Sequence, residues 1–366
     1  MSSDGQASED RIRVDPDGLR TFVADVLTRL GVPPEDAAMA ADVLVYADLR
    51  GVETHGMSNN NLGRIYVRDI QGGKIKPNAP LTVVRETPVS AMLDGNFGLG
   101  LSVGVRAMNM AIEKARKSFI GMVAVKNSHH FGAAQYFSMM AVRHGMIGIS
   151  STNSNPIVLP MGGREPVYGT NPISVGAPSG SEPDFCLDVG TSAMVFQKLI
   201  LTTRLGTSIP LGVAADDEGV PTSDPAVAVN ARKLLPLGST PELGSHKGYG
   251  LGMLVDVLCG ILSGHGASIQ LDAYESYGSV GHFFCAIRVD AFRPLDEFQA
   301  QMDDMFARVH DTKPASGFDR VLVAGDPEHA KEQERRSRGI PLLPAVVDEL
   351  KQLAGEVGVP WTLTGG

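Results

Sequence analysis

Residues 122–144 read MVAVKNSHHFGAAQYFSMMAVRH and predict a strand, a turn and a helix in that order. Met122–Val125 is a short valine-rich apolar run, which is typical of a buried strand. Gln135–His144 is predicted to form the helix. The small and polar residues between them, 127–134, form a strand-to-helix turn in which backbone N–H groups can face a phosphate or a ring edge. This unit indicates a fold that alternates strands and helices.

The alternation continues on both sides of this unit. A helix is predicted at Leu99–Ser118, and further strands at Leu81–Arg85, Ala91–Leu93, Ile147–Ser151, Ile173–Ala177 and Phe185–Val189. A stretch rich in glycine and proline, residues 153–178, supplies loops between these strands. The pattern predicts an α/β lobe built on a mixed sheet.

Both ends of the chain are predicted to be helical. Asp15 and Pro16 open a first helix with an N-cap carboxylate and a proline in the first turn, and a second helix ends at Leu49. The tail beyond Ser316 is charged and helical in character, and it ends in Leu343–Leu353. Residues 1–13 are polar and are predicted to be disordered.

The composition limits the classes of partner. The chain has 366 residues, 43% of them hydrophobic and 20% charged, with a formal net charge of −9. An acidic balance without basic clusters argues against nucleic acid or an anionic membrane as a partner. The N-terminus lacks a signal-peptide core, and the longest apolar run, Tyr249–Ser263, is too short to span a bilayer. These features predict a soluble cytoplasmic protein.

Neither a metal nor a disulfide is predicted. The three cysteines, Cys186, Cys259 and Cys285, stand singly in apolar runs and are predicted to be core residues in a reducing compartment. His129 and His130 are adjacent, but no cluster of carboxylates or cysteines accompanies them, so a metal site is not supported.

Residues 50–56, RGVETHG, place one imidazole on a turn directly after the second helix. The unperturbed pKa of histidine is about 6.5, so His55 can accept and return a proton near neutral pH. Gly56 permits another group to approach the backbone closely. A single loop histidine is more often a surface residue, and its catalytic role therefore depends on the other segments.

Asp188 is a second candidate for catalysis. It ends the apolar run 185–187, where a carboxylate is costly unless it is paired. A pair with a histidine would raise the basicity of the imidazole and fix its tautomer. The alternative is an aspartate that caps a helix or a turn.

Three other segments are candidate binding sites, with tight turns between strands and a surface lysine as the alternatives. PMGG at 160–163 and YGTNP at 168–172 are dense in turn-forming residues, and Lys247 lies at the opening of an apolar helix, where it could hold an anion. No strand-linked GxGxxG is present, so a Rossmann dinucleotide fold is not predicted.

Taken together, these segments resemble the type 2 malate/L-lactate dehydrogenase family. The matching pieces are RGVETHG, NSHHFGAAQYF, PMGG, YGTNP, DVGTS, DEGVPTSDP, HKGYG and AGDPE, in this order over about residues 15–345. The resemblance implies a non-Rossmann fold, with a nicotinamide-binding lobe on a mixed sheet and a discontinuous helical lobe. It also implies a homodimer, a small-molecule substrate, and NAD or NADP as cofactor.

The resemblance also implies roles for individual residues. His55 matches the proton donor and acceptor, Asp188 its carboxylate partner, and His130 a histidine of the cofactor and substrate cleft. Thr170 is predicted to contact the substrate. Cofactor contacts are predicted at His130, Pro160, Gly162, Asn171, Asp188, Val189, Gly190, Thr191, Ser192, Lys247, Gly325, Asp326 and Pro327.

One position departs from the family. An arginine that is thought to grip the substrate carboxylate usually stands three residues after the glycine of the His-Gly pair, where this chain has Asn59. Asparagine offers hydrogen bonds but lacks the bidentate grip of a guanidinium. The segment before Gly72 is also a few residues longer than usual, so Arg64 could reach the site, and Arg50 is another candidate for the missing guanidinium. The alternatives are a substrate that is bulkier, less anionic or held by a different group.

The family pattern divides the chain into four parts. We expect a disordered stretch at 1–13 and a helical lobe from 14–80 with 300–366. A central α/β lobe is expected from 81–120 with 210–299, and the nicotinamide-binding lobe from 121–209.

The predicted reaction is hydride transfer between NAD(P) and a 2-hydroxy acid, with His55 as the acid and base. General acid–base catalysis of this kind contributes about 10²- to 10⁴-fold to a rate. Two alternatives remain open at this point: a reductase of the C=N bond of a cyclic imino acid, and a non-catalytic binding protein on the same fold.

Overall fold

A seven-stranded mixed sheet forms the centre of the protein, in a computed structural model that describes residues 11–271 and 279–363. The strands are β1 Ile12–Val14, β2 Thr82–Glu86, β3 Ser90–Asp94, β4 Ile120–Ser128, β5 Met146–Thr152, β6 Ile173–Ala177, β7 Phe185–Val189, β8 Ala214–Ala215, β9 Pro221–Thr222, β10 Lys233–Leu234, β11 Val280–Arg288 and β12 Ile340–Leu342. The helices are α1 Pro16–Arg29, α2 Pro34–Leu49, α3 Arg68–Gln71, α4 Gly100–Ser118, α5 Ala134–Val142, α6 Phe196–Leu205, α7 Pro225–Ala231, α8 Ser245–Val255, α9 Leu295–His310, α10 Asp326–Arg338 and α11 Pro344–Val357. Two π-helical turns, Leu62–Val67 and Asp256–Ile261, precede α3 and follow α8.

The strand order in the large sheet is β2-β3-β4-β11-β5-β6-β7. β3 and β4 are parallel, and the other neighbouring pairs are antiparallel. This arrangement confirms the predicted mixed α/β fold. β8, β9 and β10 form a separate three-stranded sheet that shares no strand with the large one.

β11 is the central strand of the sheet, and the sequence analysis did not predict it. Its first seven residues are buried on both faces. Phe284 and Ala286 join the core that includes residues of α4 and α5, while Phe283 and Cys285 pack with Cys259 on the opposite side. A strand covered on both faces lacks the alternation of apolar and polar residues that marks a half-exposed strand.

The two ends of the chain come together in one helical region. α1 packs on α2 and α11, and α10 packs on α2. β1 pairs with β12 in antiparallel register, with Ile12 opposite Leu342. The predicted disorder of residues 1–13 is therefore wrong for residues 12 and 13, because this pairing orders them, and residues 1–10 lie outside the described part of the chain.

The proposed division into lobes stays a prediction, and the large sheet crosses one of its boundaries. β11 comes from the part assigned to the central lobe, whereas β5, β6 and β7 come from the part assigned to nicotinamide binding. All seven strands nevertheless form one hydrogen-bonded sheet.

Two simpler predictions concern burial and membranes. Cys186, Cys259 and Cys285 are buried and free, which confirms their prediction as core residues. Over residues 11–271 and 279–363, no helix combines the length and apolar character needed to cross a bilayer.

Candidate active site

The loop that carries His55 is held by a buried carboxylate in the last turn of α2. Asp48 is fully buried and accepts hydrogen bonds from the backbone N–H of Met57 at 2.5 Å and of Ser58 at 3.2 Å. A Cβ on Gly56 would lie 2.3 Å from Asp48 Oδ1, so only glycine fits between the carboxylate and the loop. Burial raises the pKa of Asp48 to about 7. Its signal in the sequence is a single charge within the apolar run 43–49, and this role was not predicted.

Helix α10, from the C-terminal part of the chain, binds the same loop through hydrogen bonds and ion pairs. The Arg335 guanidinium donates to the backbone carbonyl of Asp48 and to the carboxylate of Glu53. One turn earlier, the Glu332 carboxylate accepts from Arg50 Nη1 at 3.2 Å. Asp48 and Arg50 at the end of α2, and Glu53 in the loop, are therefore all bound to α10.

The structure brings His55 and His130 together. Their rings are nearly parallel, with 12° between the planes and 5.6 Å between the centroids. The Tyr66 hydroxyl lies 2.7 Å from His130 Nδ1, and the Thr54 hydroxyl lies 2.9 Å from His55 Nδ1. Each imidazole thus has one ring nitrogen fixed by a hydroxyl.

Both imidazoles of this pair are neutral near pH 7. Burial lowers the pKa of His55 to about 4. Burial, together with repulsion from neighbouring histidines, holds the pKa of His130 well below its usual value. A neutral imidazole in a desolvated site is able to accept a proton, which is the property required of a general base.

The predicted ion pair between Asp188 and His55 is not formed. The Asp188 carboxylate accepts the backbone N–H of Gln135 at 3.0 Å, in the first turn of α5. It makes no hydrogen bond or salt bridge to His55, both residues being well inside the described ranges. The free N–H groups and dipole of a helix N-terminus favour a carboxylate there. Burial raises the pKa of Asp188 to about 6.

His129 is separated from the cleft pair. It is buried, and its Nε2 lies 3.1 Å from Oδ2 of the buried Asp69. The two adjacent histidines thus have different partners, Asp69 for His129 and Tyr66 for His130. In the part of the chain that the structure describes, no group of three or more histidine, cysteine, aspartate or glutamate side chains is arranged to hold a metal.

The loops predicted to bind a cofactor converge near the end of β7. The backbone N–H of Thr191 donates to the carbonyl of Thr170 at 2.8 Å, which joins the DVGTS segment to YGTNP. The buried Asn171 side chain accepts from Ser154 N and donates to the carbonyl of Gly252.

The turn that begins α10 reaches the same strand. The backbone N–H of Cys186 donates to the carbonyl of Ala324 at 3.1 Å, directly before Gly325 and Pro327. Asp326 itself is engaged by His310 Nε2 and by the N–H of Val323, each at 2.8 Å. The other positions of the 188–192 segment, Val189, Gly190 and Ser192, lie at the opposite end of β7, beside Thr191.

The PMGG loop borders a cavity of about 430 Å³. Pro160 and Gly162 line it on one side, and Ser245, the first residue of α8, on the other. Among the described residues Ser245 Oγ is buried and has no hydrogen-bond partner. Lys247, on the same helical turn, is exposed and forms no ion pair in those residues. An unpaired hydroxyl and an ammonium at a helix N-terminus suit an anionic group such as a phosphate.

Arg50 and Arg64 occupy very different positions. Arg50 is buried, with Nε bound to Gln135 Oε1 at 3.1 Å and Nη1 to Glu332, while its Nη2 has no hydrogen-bond partner among the described residues. Its role in substrate binding stays a prediction. Arg64 is exposed on the first π-helical turn, and its Nη1 donates to Asn59 Oδ1 at 3.0 Å. The segment before Gly72 contains this π turn, a feature that often marks functional sites.

Comparison with known proteins gives related sequences over nearly the whole chain. The model of a family described as malate/L-lactate dehydrogenase matches residues 14–351. A malate dehydrogenase of Pyrococcus abyssi is 44% identical over 98% of this chain and 99% of its own. An L-sulfolactate dehydrogenase of Methanocaldococcus jannaschii is 36% identical, over 94% and 97%. A ureidoglycolate dehydrogenase (NAD(+)) of Escherichia coli K12 is 31% identical, over 93% and 94%.

Solved structures agree with these sequences. A malate dehydrogenase from Entamoeba histolytica has a TM-score of 0.92 and 36% identity, covering 96% of this chain and 99% of its own. A delta1-piperideine-2-carboxylate reductase from Pseudomonas syringae has a TM-score of 0.83 and 26% identity, covering 93% and 99%. The fold and the family suggested by the sequence motifs are both confirmed.

Proposed function

Because this chain belongs to the malate/L-lactate dehydrogenase family, we propose that it transfers a hydride between a nicotinamide cofactor and a 2-hydroxy acid, with His55 as acid and base. The observation that carries this proposal is the parallel stack of two neutral imidazoles, His55 and His130. One of them is required to move the hydroxyl proton, and the other lies close enough to orient the same substrate.

The residues present fit a nicotinamide cofactor. The cavity bordered by Pro160, Gly162 and the unpaired Ser245 hydroxyl, with Lys247 nearby, offers donors for a phosphate-bearing group. We propose that the segment 188–192 and the turn 325–327 complete the binding site. When bound, the cofactor supplies the hydride acceptor or donor.

The proton step follows from how the imidazoles are held. We propose that His55 Nδ1–H donates to the Thr54 hydroxyl, which leaves the lone pair of the neutral imidazole on Nε2, so that Nε2 takes the hydroxyl proton during oxidation. During reduction the same nitrogen returns a proton to the carbonyl oxygen. We propose that His130, fixed by Tyr66, orients the substrate hydroxyl, and that Asp188 acts from the cofactor side through α5, without contact with His55.

The experiment that tests this function combines binding and turnover. NADH and NADPH are titrated by nicotinamide fluorescence, and 2-hydroxy acids are then offered with NAD⁺ and NADP⁺. We expect at least one reduced cofactor to bind and at least one 2-hydroxy acid to be oxidised. A protein that bound neither cofactor would contradict the proposal.

A second candidate reaction is reduction of the C=N bond of a cyclic imino acid. The likeness to delta1-piperideine-2-carboxylate reductase favours it, since the same histidine would protonate the imine nitrogen. A panel that includes a cyclic imine and the matching 2-oxo acid distinguishes the two reactions. Turnover of the imine alone would replace the 2-hydroxy acid in this proposal.

We propose that the enzyme is a dimer that pairs through α8 and the π turn that follows it. Leu254, Val257 and Ile261 lie on this segment and are 47%, 49% and 62% exposed, which is unusual for neighbouring apolar side chains. A second copy of the chain would cover them. Light scattering should give twice the mass of one chain for the wild type.

The variant Ile261→Glu should shift the protein toward monomer, because it would bury a charge in the dimer interface. Phe292→Glu is the matched control, since Phe292 is 82% exposed and lies outside this segment. A monomeric wild type, or equal effects of the two variants, would contradict the proposed interface.

A further inference from the structure

We infer that α10 sets the position of the His55 loop, residues 51–58, relative to the cofactor turn at the N-terminus of the same helix, and that Arg335 is the positioning residue through which it acts. The inference rests on the proposed hydride transfer with His55 as acid and base. It assigns a role in that reaction to a side chain that acts through the loop.

The N-terminal end of α10 is fixed against the start of β7. The carbonyl of Ala324 accepts the N–H of Cys186 at 3.1 Å, and a Cβ on Gly325 would lie only 3.0 Å from the carbonyl oxygen of Asp184. Arg335 follows nine residues after Asp326, which begins the helix, and this separation corresponds to about 14 Å along the helix axis. One unbroken helix therefore joins the proposed cofactor turn to the loop.

Arg335 binds the His55 loop at both of its supports. The buried guanidinium donates to the backbone carbonyl of Asp48, whose carboxylate accepts the N–H groups that follow Gly56. It also donates to the carboxylate of Glu53, two residues before His55. A buried charge is stable only when it is paired, so this guanidinium and its two acceptors are held in one arrangement.

A second attachment fixes the start of the loop. The Glu332 carboxylate accepts from Arg50 Nη1 at 3.2 Å, and Arg50 Nε donates to Gln135 Oε1 at 3.1 Å. Glu332 and Arg335 are three residues apart, so they lie on the same face of α10. Two attachments on one face oppose both rotation and sliding of the helix relative to the loop.

The position of the loop matters because the base must be aligned with the cofactor. The His55 ring contacts Thr54 and His130, and both of these partners lie outside α10. These contacts orient the imidazole, whereas the attachments of α10 set the distance between the loop backbone and the turn 325–327. Misplacement of a catalytic group by about 1 Å costs up to about 100-fold in rate.

The first test is the kinetics of Arg335→Gln in the full-length enzyme. This variant loses the ion pair with Glu53, and it should lower kcat for the best 2-hydroxy acid about 10- to 100-fold. The dissociation constant of the reduced cofactor, measured by fluorescence, should change by less than about threefold. Arg335→Lys keeps the charge but not the two-point grip of a guanidinium, so its kcat should lie between those of the wild type and Arg335→Gln.

Glu334→Gln is the matched control on the same helix. The Glu334 carboxylate pairs with Arg13 Nη2 at 2.8 Å, so the substitution removes an ion pair between α10 and β1. Its kcat should stay within about twofold of the wild type, because the contacts with the His55 loop are kept.

Hydrogen exchange of the protein without substrate is the second test. In Arg335→Gln the amides of residues 51–58 should exchange about tenfold faster than in the wild type, because the loop has lost a hydrogen bond between charged groups. Exchange in β11, the central strand of the sheet, should not change. A role confined to overall stability would instead accelerate exchange in both segments.

The outcomes separate this inference from the proposed function. An unchanged kcat in folded Arg335→Gln, an equal loss in Glu334→Gln, or equal acceleration of exchange in β11 would overturn the role of Arg335. If the wild type oxidises no 2-hydroxy acid, the proposed function fails, and the exchange measurement still tests the attachment of the loop. If the melting temperature shows that Arg335→Gln does not fold, Glu53→Gln weakens the same ion pair from the loop side and should give the same changes.

Discussion

His55→Ala should lower kcat for oxidation of the best 2-hydroxy acid by about 10²- to 10⁴-fold, the usual contribution of a general base. The side chain ends a short helical turn on the loop and contacts Thr54 and the face of His130. Its removal deletes the proton acceptor without touching the cavity bordered by Pro160 and Ser245. Binding of the reduced cofactor, measured by fluorescence, should therefore change by less than about threefold.

His144→Ala is the matched control for this variant. His144 is exposed and contacts Arg116, so the same substitution there should leave kcat unchanged. If His55→Ala kept most of its rate, His55 would not be the base. His130→Ala would then be the next variant to measure, because His130 is the other imidazole of the stack.

The pH dependence of the wild-type rate is a second test of His55 as the general base. Because burial lowers the pKa of His55 to about 4, the neutral base predominates above about pH 5 in the free enzyme. Protonation of His55 should reduce kcat/KM for oxidation only as the pH falls toward 4. A loss centred at pH 6 to 7 would instead follow Asp188 or Asp48, whose pKa values burial raises to about 6 and about 7. Asp188→Asn would remove a step that belongs to Asp188 and leave one that belongs to Asp48, and the profile of His55→Ala would retain either.

The fold was predictable where local patterns are strong. Asp15 caps α1 through the N–H of Gly18, as its position before Pro16 predicted. β6 and β7 have the predicted bounds, because each is a short run of strand-forming residues between turns. The pairing of β1 with β12, by contrast, joins the two chain ends through residues that were predicted to be disordered.

Other features depend on distant parts of the chain and have no local signal. β11 is buried on both faces, so it carries no alternation that would identify it. The role of Asp48 arises only when the chain turns back after α2 and presents the N–H groups of Met57 and Ser58. The partner of Arg50 stands on α10, some 280 residues later.

The absence of a local signal for contacts between distant residues also explains why Asp188 was paired with His55 in the prediction. Sequence reasoning identified a costly carboxylate at the end of a strand and a histidine that needed a partner, and it joined the two. In the structure that carboxylate instead accepts the backbone N–H of Gln135 at 3.0 Å. For His130 the partner is Tyr66, on a π turn that no sequence pattern predicts.

Gly56→Ala should both destabilise the protein and impair catalysis. The added Cβ would meet the Asp48 carboxylate at 2.3–2.6 Å, and that carboxylate is fully buried and held by the N–H groups of Met57 and Ser58. Overpacking of this kind costs about 1–3 kcal/mol of unfolding free energy. Displacement of His55 by about 1 Å would lower kcat by about 100-fold. Chemical denaturation and steady-state kinetics measure the two effects.

A double variant distinguishes a steric clash with Asp48 from a requirement for the backbone conformation of glycine at position 56. Asp48→Ala alone should be destabilising, because the N–H groups of Met57 and Ser58 lose their acceptor. In Asp48→Ala/Gly56→Ala the carboxylate that meets the new Cβ is absent, so the second substitution should cost much less than it does in the wild type. Strictly additive losses would show that Gly56 is required for its backbone conformation rather than for the close approach of Asp48. Because the φ of Gly56 is −107°, a value open to any residue, non-additive losses are the expected result.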